Sequence, residues 1–225
     1  DPILVLESTE STGFGTGANA NGDYNADGYS DLIYGEPGAS NDTGAVYIHY
    51  GSVDGYTSTP DLTLSGLHEG ARFGASLALL GDADGNGYDD LIVGAPNQNN
   101  DTGNSTGAVH LFTGFATGLN PGAIWMTTGD TIDGLFGSHV APAGDVDGDG
   151  YADFMVGEMG WEGSDQGLGR VHIYLGNSTI ESESTKIDGH EDDLILGYSI
   201  LGVGDGNGDG FDDIVIGSSK DQTDV

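Results

Sequence analysis

The chain has 225 residues, enough for one all-β domain or two small ones, and its 37 acidic residues against 4 basic ones give a net charge of −33. That charge repels nucleic acid and anionic bilayers and argues against both as partners. There is no cysteine, so a secreted domain of this composition lacks disulfides and must draw stability from elsewhere, bound metal being one source. No apolar run approaches the roughly 18 residues of a membrane span. Glycine is the commonest residue, with 42 copies, and it separates short apolar runs without a three-residue period. This excludes collagen and argues against a disordered linker.

In chain order, ILVLES (3–8) reads as an outer strand. Phe14-Gly15 follows, then the aspartate-rich GDYNADGYSDLIYGEP (22–37), then GAVYIHYG (44–51) and DLTLSG (61–66). The series then returns: Phe73-Gly74 opens GASLALLG (74–81), which leads into GDADGNGYDDLIVGAP (81–96), GAVHLFTG (107–114) and AIWMTT (123–128). A third round contains Phe136-Gly137, GDVDGDGYADFMVGEM (144–159), GRVHIYLG (169–176) and STKIDG (184–189). A fourth begins with Leu196-Gly197 and GDGNGDGFDDIVIGSS (204–219). The leading aspartates Asp23, Asp82, Asp145 and Asp205 are spaced 59, 63 and 60 residues apart. Three features in register over such a period define an internal repeat, at roughly 1–66, 67–128, 129–189 and 190–225.

Each period reads as four short strands. Strand A follows the Phe-Gly pair, the aspartate loop turns the chain, and strand B is the apolar run after it, as in DLIVG (90–94). Strand C is AVHLF (108–112), whose alternation predicts a sheet with one buried face, and strand D precedes the next Phe-Gly. Nothing sustains a helical period. Four-stranded antiparallel units in tandem predict an all-β fold, a β-propeller of which this chain holds about three and a half blades.

The combination of FG, then D-x-[DN]-x-[DN]-G-x-x-D, then GAP resembles the FG-GAP repeat of integrin α-subunit propellers. Related repeats occur in some fungal lectins, a glycosylphosphatidylinositol-specific phospholipase and many bacterial and archaeal surface proteins. The resemblance covers nearly the whole chain. Departures are Leu196 for Phe, and Gly35-Glu36-Pro37, Gly157-Glu158-Met159 and Gly217-Ser218-Ser219 for GAP. These touch turns and packing and leave the aspartates in place. The resemblance implies a seven-bladed ring, so this stretch is expected to be a segment of a longer protein, the alternative being closure with a second chain or an unusual small propeller.

The aspartate loops predict calcium sites. Calcium takes six to eight oxygens, and a tight loop with alternating acidic side chains supplies them. The ligand sets are Asp23, Asn25, Asp27 and Asp31; Asp82, Asp84, Asn86 and Asp90; Asp145, Asp147, Asp149 and Asp153; and Asp205, Asn207, Asp209 and Asp213. The seventh position offers a backbone carbonyl from Tyr29, Tyr88, Tyr151 or Phe211, and Gly28, Gly87, Gly150 and Gly210 at the sixth allow the sharp turn. These are not EF-hands, because Val93 and Val156 stand where a bidentate glutamate would be and the flanks are strands. About four ions are expected, structural and not catalytic, with the four-carboxylate third loop binding most tightly. Four divalent ions offset only a small part of the charge, so a marine or hypersaline exterior is a further expectation.

Four N-x-[ST] sequons, at Asn41, Asn100, Asn104 and Asn177, fall in predicted loops and are candidate glycosylation sites. His110 and His172 align with Tyr47 in strand C and read as structural positions. Trp125 and Trp161 read as core packing or plain loop anchors, with sugar stacking the sharper alternative and Trp161, in EMGWEGSD (158–165), the more interesting of the two for it. No G-x-S-x-G nucleophile elbow is present, and no acid–base constellation points to an enzyme. Three readings follow: a calcium-stabilised adhesion module for protein or glycan ligands, a structural segment assembling through further copies of its repeat, and a non-catalytic propeller attached to a secreted enzyme.

Overall fold

The computed structural model describes residues 13–15, 18–161, 167–180, 183–190 and 195–219. The predicted strand at 3–8 lies outside them. The first sheet joins β1 (Ala18–Gly22), β2 (Asp31–Glu36), β3 (Ala45–His49) and β4 (Leu62–Ser65) in that order, all antiparallel. The second contains β5 (Ser76–Gly81), β6 (Asp90–Ala95) and β7 (Ala108–Phe112). A two-residue ribbon, β8 (Gly114–Phe115) and β9 (Gly118–Leu119), interrupts it before β10 (Trp125–Thr128) completes the sheet. The third is β11 (Phe136–Gly144), β12 (Asp153–Glu158), β13 (Arg170–Tyr174) and β14 (Glu183–Asp188), and the hairpin of β15 (Leu196–Gly204) and β16 (Asp213–Ser218) forms half of a fourth. Among the described residues the one segment with a helical assignment is Ala39–Asp42, and its Ser40, Asn41 and Asp42 have left-handed dihedrals. Three four-stranded blades and a half-blade are the architecture the repeat predicted.

The core lies between blades, not within one. Ile33, Val46, Ile48 and Leu64 of the first blade pack with Phe73, Leu91, Val93 and Phe112 of the second. Ala78, Leu80, Ile92, Val109 and Leu111 of the second pack with Phe136, Phe154 and Val156 of the third. Ala141, Ala143, Met155, Val171 and Ile173 of the third meet Ile200, Ile214 and Ile216 of the half-blade. The alternation of strand C therefore differs in meaning from the sequence-based expectation. All five residues of β7 are buried, as are all six of β6 and of β12. Successive side chains point to the blade before and the blade after, so period two here separates two cores instead of core from solvent.

The FG and GAP residues form the joints. Gly44, Gly107 and Gly169, each at positive φ, bridge in parallel to Phe73, Phe136 and Leu196 of the following repeat. A methyl group on any of them would overlap that residue's carbonyl oxygen. One step further, the carbonyl of Gly74 lies directly over Gly35 and that of Gly137 over Gly94, where Ser76 Oγ donates to it at 2.8 Å. Glycine is required at these points because a backbone passes where a Cβ would be.

The departures from GAP are coupled to strand C. Where glutamate replaces alanine, strand C supplies it a partner: the Tyr47 hydroxyl donates to Glu36 Oε2 at 3.0 Å, and His172 Nε2 lies 2.9 Å from Glu158 Oε2. Where Ala95 remains, His110 Nε2 pairs with Gln98 Oε1 at 2.9 Å. The aligned Tyr47, His110 and His172 are thus structural, as read from the sequence. Trp125 packs edge-on against Phe154 and Tyr174, and the Arg170 guanidinium lies 4.0 Å over the Trp161 ring.

Two outcomes test this frame. Gly94→Ala inserts a methyl against the Gly137 carbonyl and is expected to cost about 2–3 kcal/mol, while Gly217→Ala, at the equivalent place in the half-blade, stays within about 0.5 kcal/mol. Urea midpoints of the two variants measure both. Burial, with a smaller contribution from His68, holds the His110 imidazole down at about 4. Below pH 6.5 the unfolded chain takes up a proton that the folded chain refuses, so this stability is present at neutral pH and lost as pH falls towards 4. Unfolding of wild type and His110→Gln between pH 7 and 4 should diverge by about 2–3 kcal/mol, and parallel curves would refute the assignment.

Candidate metal centre

The four aspartate loops connect strands A and B, and one hydrogen-bond pattern builds each of them. The first-position carboxylate accepts backbone N–H bonds from the far side of the turn. Asp23 takes those of Asp27 (3.0 Å) and Gly28 (2.8 Å), and Asp82 those of Gly85 (2.7 Å), Asn86 (2.9 Å) and Gly87 (2.7 Å). Asp145 and Asp205 repeat this with Gly148, Asp149 and Gly150, and with Gly208, Asp209 and Gly210. Third-position oxygens of Asn25, Asp84, Asp147 and Asn207 accept from the fifth N–H. Fifth-position oxygens of Asp27, Asn86, Asp149 and Asp209 accept from the N–H of Tyr29, Tyr88, Tyr151 and Phe211. Each carboxylate oxygen that accepts one such bond keeps a further lone pair, so this pattern orients the ligands without exhausting them.

Gly28, Gly87, Gly150 and Gly210 have φ between 90° and 95°, the turn that places the fifth and seventh positions on the same side as the first. The fourth position is also left-handed: Gly85, Gly148 and Gly208 occupy it, while Ala26 adopts φ 54°. The sequence pattern points only to the sixth.

The ninth-position aspartates behave differently from the rest. Asp31, Asp90 and Asp153 are fully buried, while the other ligand candidates are partly or wholly exposed. One oxygen of each reaches back into its own loop, to the N–H of Tyr24 (2.9 Å), Ala83 (2.9 Å) or Val146 (2.7 Å). The other accepts from the residue closing strand C, Gly51 (2.9 Å), Gly114 (3.0 Å) or Gly176 (2.8 Å). Asp213 of the half-blade is half-buried and holds Gly206 N–H at 3.1 Å. The ninth aspartate therefore ties the loop to strand C, a role no local pattern in the sequence announces.

Burial dominates the protonation of these groups. It pushes Asp90 and Asp153 up to about 6, against the lowering effect of their backbone N–H donors, and neighbouring aspartates add to the rise. Asp31 is raised for the same reason. Exposed Asp205 is held below the ordinary range by the N–H groups of Gly210, Gly208 and Asp209. A buried carboxylate that stays partly protonated near neutrality is short of positive charge around it.

The donor set fits a hard divalent cation. Oxygens of Asp82, Asp84 and Asp90 lie within 4.8 Å of one another, and so do oxygens of Asp145, Asp147 and Asp149. All are carboxylate oxygens, the ligands that calcium and magnesium favour. In the first and fourth loops, among the described residues, no three carboxylates converge in this way; both place asparagine at the third position, where only a carboxamide is offered. Thr113, which no repeat position predicts, donates to Asp84 Oδ2 at 2.8 Å and accepts from Asn86 Nδ2 at 2.6 Å, fixing two candidate ligands of the second loop.

Neighbouring loops also touch. The N–H of Ala152, eighth in its loop, donates to the Asp82 carbonyl at 3.0 Å, and that of Asp212 to the Asp145 carbonyl at 2.9 Å. Asp145 N–H returns a bond to Asp212 Oδ2 at 2.9 Å. First and eighth positions thus stitch the second loop to the third and the third to the fourth.

Comparison with known proteins agrees with this geometry. The FG-GAP repeat matches at residues 16–49, 73–112 and 136–174, which together are half of the chain. Integrin alpha-5 of Xenopus laevis is 36% identical over 155 residues, 61% of this chain and 14% of its own length. Integrin alpha-6 of Gallus gallus is 33% identical over 174 residues, 73% of this chain and 15% of its own. Phosphatidylinositol-glycan-specific phospholipase D of Bos taurus is 31% identical over 207 residues, 83% of this chain and 24% of its own. The chain thus spans about a quarter or less of the length of these relatives. Three matched repeats, folded as successive blades whose FG and GAP residues make the joints, mean that the chain belongs to the FG-GAP repeat family.

Proposed function

We propose that the chain is a calcium-stabilised, extracellular β-propeller module for adhesion or for binding a protein or glycan ligand, without catalysis of its own. The observation that carries the metal is the convergence of three carboxylates in each of the second and third loops, the buried ninth aspartate Asp90 being one of the three in the second and Asp153 standing outside the three of the third. An ion in each loop, about four in all, supplies the missing positive charge. It pins strand A to strand B and, through the ninth aspartate, to the end of strand C. The four ligand sets are those of the sequence reading, with the seventh-position carbonyls completing them.

The integrin relatives favour adhesion and a cell-surface or secreted location. The phospholipase relative favours a second reading, in which the module is an accessory propeller of a secreted enzyme. Glycans at Asn41, Asn100, Asn104 and Asn177 belong to the same extracellular reading. So does a saline setting, which would require unfolding resistance to rise with NaCl at fixed calcium. A glycan array probed with the calcium-loaded chain tests the glycan arm of the ligand proposal.

Calcium is expected to raise the melting temperature, each site contributing about 2.7 kcal/mol at a hundredfold excess over its Kd, or roughly 5–10 °C in a chain of this size. An unchanged melting temperature in chelator would overturn the metal reading. Asp145→Ala and Asp149→Ala should each lower the calcium stoichiometry by one in equilibrium dialysis and leave the other sites filled. Protons compete with the ion at Asp90 and Asp153 below about pH 6, so affinity in the second and third loops should fall about tenfold or more between pH 7 and pH 5. A flat affinity over that interval would remove the ninth aspartates from the ligand sets.

A further inference from the structure

The joint between the first and second blades holds a cavity of about 310 Å³, a volume found among small-molecule sites. Phe73 and Phe112 form its buried wall, their rings edge-on with centroids 6.1 Å apart. Leu67, just beyond β4, and Met126 of β10 stand exposed at the rim, and Gly122 lines it just before β10. No carboxylate, lysine or arginine lines this cavity, in a chain with 37 acidic residues and 4 basic ones.

The corresponding place in the next joint is built differently. Asp130 and Lys186 take the positions of Leu67 and Met126, and they form an ion pair at 3.5 Å. Trp125, Phe154 and Tyr174 take the positions of Leu62, Leu91 and Phe112, so more side-chain volume fills that joint. The first joint lacks both the filling and the ion pair, and it leaves two apolar side chains exposed where the pair would be.

His110 gives the cavity its one buried polar group, at 3% exposure. Gln98 directs its amide nitrogen to Met126 Sδ at 3.4 Å, which turns its Oε1 towards His110 Nε2 at 2.9 Å. Nε2 must therefore donate. Burial lowers the imidazole to about 4, so at pH 7 the ring is neutral and Nδ1 carries a bare lone pair. No hydrogen bond to Nδ1 is recorded among the described residues, and unlike His139 Nδ1 it is not sealed from solvent. The cavity is the space that reaches it. An acceptor among apolar walls is costly until a donor meets it.

We infer that this cavity binds a neutral small aromatic molecule with a single ring N–H or hydroxyl group, of the size of indole or phenol. The ring enters between Leu67 and Met126, packs against Phe73 and Phe112, and donates its one hydrogen bond to His110 Nδ1. A sugar does not match, because the other polar side chain of the lining is Ser65 at the exposed rim, and most sugar hydroxyls would be left unpaired. No lining residue belongs to an aspartate loop, so this ligand and the proposed ions do not compete.

Isothermal titration calorimetry of the calcium-loaded chain with indole at neutral pH tests this. Saturable binding is expected with a Kd of about 0.1–1 mM. N-methylindole, which keeps the rings and loses the donor, should bind about tenfold or more weakly than indole. Gly122→Leu starts from an exposed glycine whose added Cβ would have only Asn120 Oδ1 near it, at 3.7 Å, and it fills the cavity. Leu67→Asp combined with Met126→Lys transplants the ion pair of the next joint. Both variants should lower indole affinity at least tenfold while their urea midpoints stay those of wild type. Absence of saturable indole binding, equal affinity for N-methylindole, or undiminished binding by both variants would each overturn the inference.

Discussion

Each blade of this protein leans on the next through a backbone carbonyl set over a glycine. Gly35 receives Gly74, Gly94 receives Gly137, and a strand-C glycine receives each Phe or Leu of the Phe-Gly pair. With side chains removed from the contact, adjacent sheets approach closely enough for strand A of one blade to pack on the strands of the one before. The aromatic of each pair then fills the space beside strand C, as Phe73 does against His110 and Phe136 against His172. The FG and GAP letters are thus one contact seen from its two sides. The three cores are the spaces these joints enclose.

The aspartate loops solve a different problem at the A–B turn. A turn this tight leaves many N–H groups pointing inward, and carboxylates accept them. The cost is crowding of like charges, together with a buried ninth aspartate whose burial raises it to about 6 in the second and third blades. Fully satisfied hydrogen bonds do not remove that charge; a cation does. The loop geometry and the charge excess therefore call for the same ion, and their agreement is stronger support than either observation alone.

Much of this was legible in the sequence because the repeat was. Four aligned loops and three aligned strand-C segments fixed the strand order within each blade, and the equivalence of Tyr47, His110 and His172 marked them as structural. Two things were not legible. Strand C looked half-exposed because its alternation was read against solvent, and only the stacking of blades shows that both faces are covered. The ninth aspartate looked like the last ligand in a row, whereas its hydrogen bonds to Gly51, Gly114 and Gly176 span 20 to 24 residues. Thr113 had no repeat partner to expose it, since Tyr50 and Leu175 stand at its place in the other blades. Local periodicity reports local geometry; contacts between strands far apart in the chain, within a blade or across blades, leave no short-range trace.

Joint and loop are also coupled. Asp82 offers its carboxylate to its own loop and its carbonyl to Ala152 of the next, and Asp145 does the same with Asp212. Anything that orders the carboxylate of Asp82 also orders the peptide group from which the third blade hangs. The ion proposed for one loop would thereby act on the neighbouring blade without touching it, in the nearest-neighbour manner of repeat proteins. The reverse holds as well, since a blade seated in its joint presents the eighth residue that fixes the preceding loop. Blade stacking and the proposed ion binding would then be two readings of a single chain of contacts, running along the rim from Asp82 to Asp212.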